Sequence, residues 1–280
     1  MDTAQFPIVL VIAGNDPSGG AGLCADIQAL ASQGCHAAPV VTCVTTQDTS
    51  KVFEKFPLPG DLVAAQAEAV LNDMPIAACK IGLLGSVEIV EAVQQVLLKY
   101  PHLPVILDPV LASGGGQLLI ANQARQTIIK KLLPLIQVIT PNSQEARTLA
   151  GDTQSLDAAA VQLMDYGCRF VCITGADENQ PQVTNTLYSQ GQQLQSWTWP
   201  RLPHSYHGSG CTFAASLAGR LAQGKDMLTA VYEAQHYTWT SLQCGYQPGH
   251  GQALPNRLFK YIPIPQNASE SFVSSITGYN

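Results

Sequence analysis

The run HGSGCT, His207 to Thr212, sets two glycines around a serine and follows them with a cysteine, at the mouth of a small-residue apolar stretch that reads as a helix. Glycines at a helix start leave backbone N–H groups free and admit a ligand close to the chain. They also sit at the positive end of the helix dipole, and the combination makes an anion site. A cysteine on that first turn is expected to have a lowered pKa and more thiolate near neutral pH. Two chemistries use this arrangement. In one, Cys211 is a covalent nucleophile with His204 or His207 as its base. In the other, Cys211 is a general base, and the N–H groups of Gly208, Ser209 and Gly210 stabilise a transferring phosphoryl group. A plain glycine turn with a packed cysteine is the third reading, and this stretch alone leaves all three open.

A second glycine stretch, GAGLCA from Gly20 to Ala25, fits the dinucleotide fingerprint G-x-G-x-x-G/A after an apolar run. That fingerprint also needs an acidic residue near the end of the next strand to hold a ribose. AAPVVTCVTTQ offers none, which argues against a nicotinamide-dinucleotide oxidoreductase. The run G-x-x-x-x-G-K-[ST] is absent, so any ATP is handled without a Walker lysine.

Composition narrows the field. Of 280 residues 46% are hydrophobic and 12% charged, which implies a large buried core and argues against disorder. The net charge of −6 and the lack of a basic cluster argue against a nucleic-acid partner. The apolar runs are too short for a membrane-spanning helix, and MDTAQFPIVLVIAG lacks the basic start of a signal peptide, so a cytoplasmic protein is expected. Eight cysteines include no C-x-x-C pair, so neither a zinc site nor a thioredoxin-type motif is indicated. Seven of them read as small apolar packing residues.

Strands and helices must position these loops. Apolar runs at Ile8–Ala13, Ala38–Thr45, Ala77–Leu83, Val105–Val110, Gln137–Thr140 and Phe170–Thr174 read as strands. Between them, helical patterns run over Asp61–Asn72, Val87–Lys99, Ala124–Leu133 and Leu156–Tyr166, after a first helix with Leu23, Ile27 and Leu30 on one face. Two polar β-leaning runs, Asn185–Ser189 and Gln193–Trp199, precede closing helices near 210–222 and 227–243. This alternation predicts one α/β domain, a doubly wound, mostly parallel sheet with helices on both faces. Ligands then bind at the carboxyl ends of the strands. The domain is expected over 1–260, with 261–280 a loosely ordered tail.

The loops leaving those strands are GNDPSGGAGLCADIQ, KIGLLG, DPVLASGGG, TPNSQEA and HGSGCT, in that order. Together they resemble the hydroxymethylpyrimidine/phosphomethylpyrimidine kinases of thiamine biosynthesis, which have the ribokinase-like fold. The resemblance runs from about Ile8 to Cys244. It implies a kinase that phosphorylates the hydroxymethyl group of an aminopyrimidine and then the monophosphate to the diphosphate, with ATP and Mg²⁺. It also implies a homodimer. By resemblance, Cys211 sits where the substrate hydroxyl loses its proton and the N–H groups from Gly208 to Cys211 hold the phosphoryl oxygens. Gln47 takes the place of the pyrimidine-binding glutamine, its amide offering one donor and one acceptor to the ring edge. Asp26 is expected to take a further ring nitrogen or N–H, while Gly14, Asp16, Gly20, Leu83 and Val110 wall the pocket.

The same resemblance makes Asp108 and Glu145 organisers of Mg²⁺, through water, and of the ATP phosphates. Asn142, Thr174 and Gly175 fall on the nucleotide side. Asn142 also reads as a helix N-cap with Glu145 as its capping-box partner. Lys80 reads either as a phosphate contact or as a surface lysine. Two departures stand out. TGAD, Thr174 to Asp177, replaces a Lys-Gly-Gly-His run usual in the family, and Tyr206 precedes His207 where threonine is common. The rival readings are a pyridoxal kinase, a cysteine hydrolase and a non-catalytic pyrimidine-binding module.

Overall fold

A computed structural model describes residues 6–112 and 116–262. The expected tail therefore lies outside the described residues from 263 onward, as do positions 113–115 of the third glycine-rich loop.

Among the described residues nine strands form one sheet. They are β1 (Ile8–Asn15), β2 (His36–Gln47), β3 (Val52–Pro57), β4 (Ile76–Ile81), β5 (Val105–Leu107), β6 (Val138–Ile139), β7 (Phe170–Ile173), β8 (Gln182–Ser189) and β9 (Gln192–Pro200). Their spatial order is 3-2-1-4-5-6-7-8-9. The central pairings from β2 to β7 are parallel, and β3, β8 and β9 run antiparallel at the two margins. The chain reverses its direction of travel across the sheet between β1 and β4. That switch point is where such sheets open a crevice.

Side chains alternate across the sheet as the strand period requires. Leu10, Ile12, Cys79, Ile81, Val105 and Leu107 face one layer, built from α2 (Gly60–Asp73), α3 (Val87–Leu97), α4 (Asn122–Thr127), α5 (Ser143–Leu149) and α6 (Leu156–Asp165). Val9, Val11, Ala13, Ala78 and Ile106 face the other, built from α1 (Gly22–Ala31), α7 (Ser209–Ala222) and α8 (Met227–Gln243). The doubly wound α/β expectation holds.

One strand falls outside the expected runs, and one helix face differs. β3, whose KVFEKFP reads as neither a clean apolar run nor a loop, forms a hairpin with β2 and makes Gln47 the last residue of β2. On α1 the buried residues are Leu23, Ala25, Asp26, Ala29 and Leu30, while Ile27 is turned outward. Small alanines let α1 lie close on the sheet, and the polar Asp26 is buried because a cation waits beneath it.

Candidate active site

A cavity of about 890 Å³ opens at the carboxyl ends of the central strands. Gly14, Asp16, Gln47, Lys80, Leu83, Asp108, Val110, Asn142, Glu145, Thr174 and the turn from Gly208 to Cys211 all line it. Residues spread over nearly 200 positions thus meet in one space.

The glycine turn has the geometry its composition implies. Gly208 is the N-cap of α7 with φ +82°, and a Cβ there would strike the Gly20 carbonyl and lie 2.8 Å from Arg257. Only glycine fits on both counts. Beyond it Ser209, Gly210 and Cys211 begin the helix, their N–H groups without intrahelical partners, and all three residues line the cavity. Gly210 borders Asp108, whose Oδ1 would lie 3.7 Å from a Cβ at that position.

The Cys211 thiol does not behave as its place on the helix suggested. Burial pushes it up to about 12; Lys80 opposes this, whereas Asp108 and Asp26 add to it. The expected lowering is therefore overturned, because the dipole and one lysine do not offset desolvation and two carboxylates. At neutral pH the resting side chain is a neutral thiol. Proton removal by Cys211 requires its own proton to leave first, and the carboxylate it faces is Asp108.

Lys80 is not a surface residue. It is fully buried at the end of β4, 2.9 Å from Asp26 Oδ2 and 3.9 Å from Asp108 Oδ2. Burial works against its charge, but Asp26, Cys211 and Asp108 hold its pKa above the ordinary lysine value. Asp26 has no exposure and does not reach the cavity, so the expected contact with a substrate ring is replaced by a structural one with Lys80. Burial raises its pKa to about 6 against the pull of Lys80.

Gly20 and Gly175 are also absent from the cavity wall. Gly20 lies behind His207, whose ring a Cβ would strike, and its carbonyl accepts from Arg257. The Gly175 N–H donates to Asn185 Oδ1 at 3.1 Å, and its Cα abuts the Thr184 carbonyl. Both glycines permit close packing rather than ligand contact.

Asp16 organises the first loop. Oδ1 accepts from the Ser18 N–H (2.8 Å) and hydroxyl (2.7 Å), and Oδ2 accepts from the Ala21 N–H (2.8 Å) and lies 2.8 Å from His207 Nε2. Burial raises its pKa, but the bonds from His207 and Ser18 outweigh it and hold the carboxyl below its ordinary value. The same His207 nitrogen lies 3.0 Å from the Gln47 amide, whose oxygen accepts from Thr45 Oγ1 at 3.3 Å. With its Nε2–H given to Asp16, His207 has no lone pair there for the Gln47 NH2, so Gln47 is held through its oxygen by Thr45 and its NH2 is left for a ring edge. Beside it, Leu83 is fixed through its carbonyl by the Thr42 hydroxyl at 2.6 Å, and Gly14 leaves room between Leu83 and Cys43.

On the far side Asn142 caps α5. Its Oδ1 accepts the Glu145 N–H at 2.7 Å while Glu145 Oε2 accepts the Asn142 N–H at 3.0 Å, the reciprocal capping box. Glu145 Oε1 also accepts the Leu111 N–H at 3.2 Å. Burial and the nearby Asp108 push the Glu145 carboxyl up to about 8. Asp108 Oδ2 is buried with no hydrogen-bond partner, so it has an oxygen to give. No group of three or more ligating side chains occurs among the described residues. The free oxygen of Asp108 suits Mg²⁺, a hard ion that keeps several waters and takes phosphate oxygens, whereas both Glu145 oxygens already accept backbone N–H groups, so Glu145 would reach the ion through water.

Two arginines escaped the sequence reading. Arg201 donates to the carbonyls of Gln180 (2.7 Å), Ala176 (2.9 Å) and Glu178 (2.6 Å), clamping the loop that replaces the Lys-Gly-Gly-His run, and it lines the cavity. Arg257, beyond the last recognised motif, is buried beneath the glycine turn. Its one signal in sequence was a cation in the otherwise uncharged run ALPNRLF.

The sheet order, the glycine turn on the last-layer helix and the cavity at the switch point define a ribokinase-like kinase fold. The family model for phosphomethylpyrimidine kinase matches residues 16–256, and the chain belongs to that family. It is similar to a hydroxymethylpyrimidine/phosphomethylpyrimidine kinase of Haemophilus influenzae, 38% identical over 265 residues, 89% of this chain and 95% of the relative. A solved phosphomethylpyrimidine kinase from Clostridium difficile superposes with TM-score 0.73 at 29% identity, over 85% of this chain and all of that one. A pyridoxal kinase from Staphylococcus aureus, in complex with AMP-PCP and pyridoxal, superposes with TM-score 0.81 at 29% identity, over 92% of this chain and 96% of that one. No helix among the described residues is long and apolar enough to cross a membrane.

Proposed function

We propose that this protein transfers a phosphoryl group from ATP to the hydroxymethyl group of 4-amino-5-hydroxymethyl-2-methylpyrimidine, and then to the resulting monophosphate, in thiamine biosynthesis. The observation that carries this reading is one cavity lined by the Gln47 amide, by the glycine turn from Gly208 to Cys211 and by Asp108 and Glu145. Leu83 and Val110 cover the apolar faces of the ring. The three N–H groups of the turn receive the charge that gathers on the equatorial oxygens during transfer. Asp108, and Glu145 through water, would hold Mg²⁺, which would supply neutralising charge to the phosphates, with Asn142 and Thr174 on the nucleotide side. Lys80, braced by Asp26, keeps a fixed positive charge under the acceptor and opposes the burial that raises the Asp108 carboxyl. Cys211 gives the substrate hydroxyl a neutral sulfur neighbour and passes a proton only through Asp108.

ADP release with Mg-ATP, measured on hydroxymethylpyrimidine, its monophosphate and pyridoxal, tests the reading. Turnover on both pyrimidines supports it. Turnover on pyridoxal alone would move the protein to vitamin B6 salvage, the second reading, which the similarity to the pyridoxal-bound kinase favours. We further propose a cytoplasmic homodimer on the strength of the family resemblance; sedimentation velocity at micromolar concentration should give a mass near twice 29.8 kDa.

A further inference from the structure

Arg257 is 2% exposed, and no carboxylate among the described residues pairs with it. All its hydrogen bonds run to neutral oxygens around the glycine turn. Nε donates to Thr212 Oγ1 at 2.8 Å, Nη1 to the Gly19 carbonyl (3.3 Å) and Gln28 Oε1 (3.2 Å), and Nη2 to the Gly20 carbonyl. The Thr212 hydroxyl passes the connection on, donating to the Gly208 carbonyl at 2.8 Å. The Gly20 carbonyl in turn is the atom against which Gly208 packs. One guanidinium therefore grips both the first glycine loop and, through Thr212, the residue that opens the anion-binding turn.

A buried cation without a counter-ion is costly to maintain, and a fold that needed only packing there would use an apolar side chain. The planar fork of five donors is what the place requires, because lysine offers a single point of attachment. Burial lowers its pKa below the ordinary arginine value, and the charge of nearby Asp26 offsets part of that cost. Lys80 and Arg257 are then two cations against Asp26 and Asp108, a near-neutral interior before any phosphate arrives.

We infer that Arg257 is a positioning residue for phosphoryl transfer: through Thr212 and Gly20 it fixes the N–H groups of Ser209, Gly210 and Cys211 at the spacing the transferring phosphoryl group needs. This rests on the kinase reading of the site. Donors that act on developing charge must be set beforehand, and a displacement of about 1 Å costs on the order of 10²-fold in rate. Ground-state binding of the ring and nucleotide draws mainly on Gln47, Leu83 and the far wall, so it should survive.

Arg257→Lys, Thr212→Val, Thr212→Ser and the double variant Arg257→Lys/Thr212→Val provide the test. Arg257→Lys and Thr212→Val should each lower kcat about 10- to 100-fold, leaving the Kd for AMP-PCP and for the pyrimidine within about twofold of wild type. Thr212→Ser, which keeps the hydroxyl, should retain wild-type kcat. The double variant should lose no more than the worse single one, since both act on one connection. Amide hydrogen exchange over 208–212 should quicken at least about tenfold in the first two variants, with α8 unchanged; this reading needs no turnover. Unchanged kcat and exchange in folded variants would overturn the inference, as would multiplicative losses or a joint fall of kcat, both affinities and Tm. If Arg257→Lys does not fold, the contrast between Thr212→Val and Thr212→Ser decides. Rates are taken on whichever acceptor wild type uses, so a wrong acceptor refutes the function and leaves the exchange result to judge Arg257.

Discussion

Replacing Asp26 by asparagine tests whether the buried pair beneath the cavity is structural. The change keeps the shape of the side chain and removes its charge, leaving Lys80 with Asp108 at 3.9 Å as its nearest ion partner. With an effective dielectric of about 20, the lost attraction at 2.9 Å is about 6 kcal/mol and the retained one about 4 kcal/mol. Asparagine also escapes the desolvation that an ionised Asp26 suffers, and its oxygen still accepts a bond from Lys80. The net loss expected is about 2–4 kcal/mol, at the lower side of what breaking a buried pair costs. For a chain of this size that is a fall in Tm of about 5–12 °C.

Differential scanning calorimetry at pH 7.5 reads the shift, and isothermal titration of the pyrimidine reads the site. Pyrimidine affinity should stay within about twofold, because Asp26 does not border the cavity. The double variant Asp26→Asn/Lys80→Met should recover part of the lost stability, since it removes the stranded cation. A Tm within 2 °C of wild type (about the calorimetric margin) with pyrimidine binding weakened tenfold or more would refute the reasoning. It would put Asp26 against the ring after all.

Cys211 should resist iodoacetamide at pH 7.5, and peptide mapping should show its modification rate rising about tenfold per pH unit through pH 10 without a plateau, because its thiol is pushed up to about 12. A plateau near pH 7 would restore the thiolate. Gly208→Ala should fold, with a lower Tm, yet lose on the order of 10²-fold or more in kcat, since φ +82° and the Gly20 carbonyl both exclude a Cβ; steady-state kinetics beside circular dichroism checks it. Gln47→Met should raise the pyrimidine Kd about 10-fold or more, with ATP affinity unchanged by titration, because it strips the amide from the ring edge.

Much of the architecture was legible because it is carried by period. Leu10 and Ile12 on one face of β1, with Val9 and Val11 on the other, announce a strand covered on both sides. The helices over Asp61–Asn72 and Val87–Lys99 deviate by a residue or two from the observed α2 and α3. β3 was not legible, since Phe53 and Phe56 are half exposed at a sheet margin and the strand alternates no buried face. The glycine turn was legible in both conformation and place, because a positive φ and a close backbone approach leave glycine as their mark.

The interior charges were the opposite case, and they explain where the reading of the site went astray. Hydrophobic period puts Ile27 on the buried face of α1 and the resemblance puts Asp26 against the ring, whereas the fold turns Ile27 outward and buries Asp26 on Lys80. Lys80 lies 54 positions from Asp26, and Arg257 lies 45 from Thr212, so neither partner is visible from its neighbour in sequence. A buried cation is stable only where other elements bring it oxygens, and those elements meet only once the sheet is assembled. The same cause misled the reading of Cys211. A helix terminus taken alone lowers a thiol pKa, whereas in the assembled site desolvation and two carboxylates raise it. The consequence is mechanistic: the resting site sets the cations Lys80 and Arg257 against the carboxyls of Asp26 and Asp108, with a neutral thiol beside them. Under the proposed function, charge brought by a phosphate, rather than a preformed thiolate, would be what tips the site toward proton transfer.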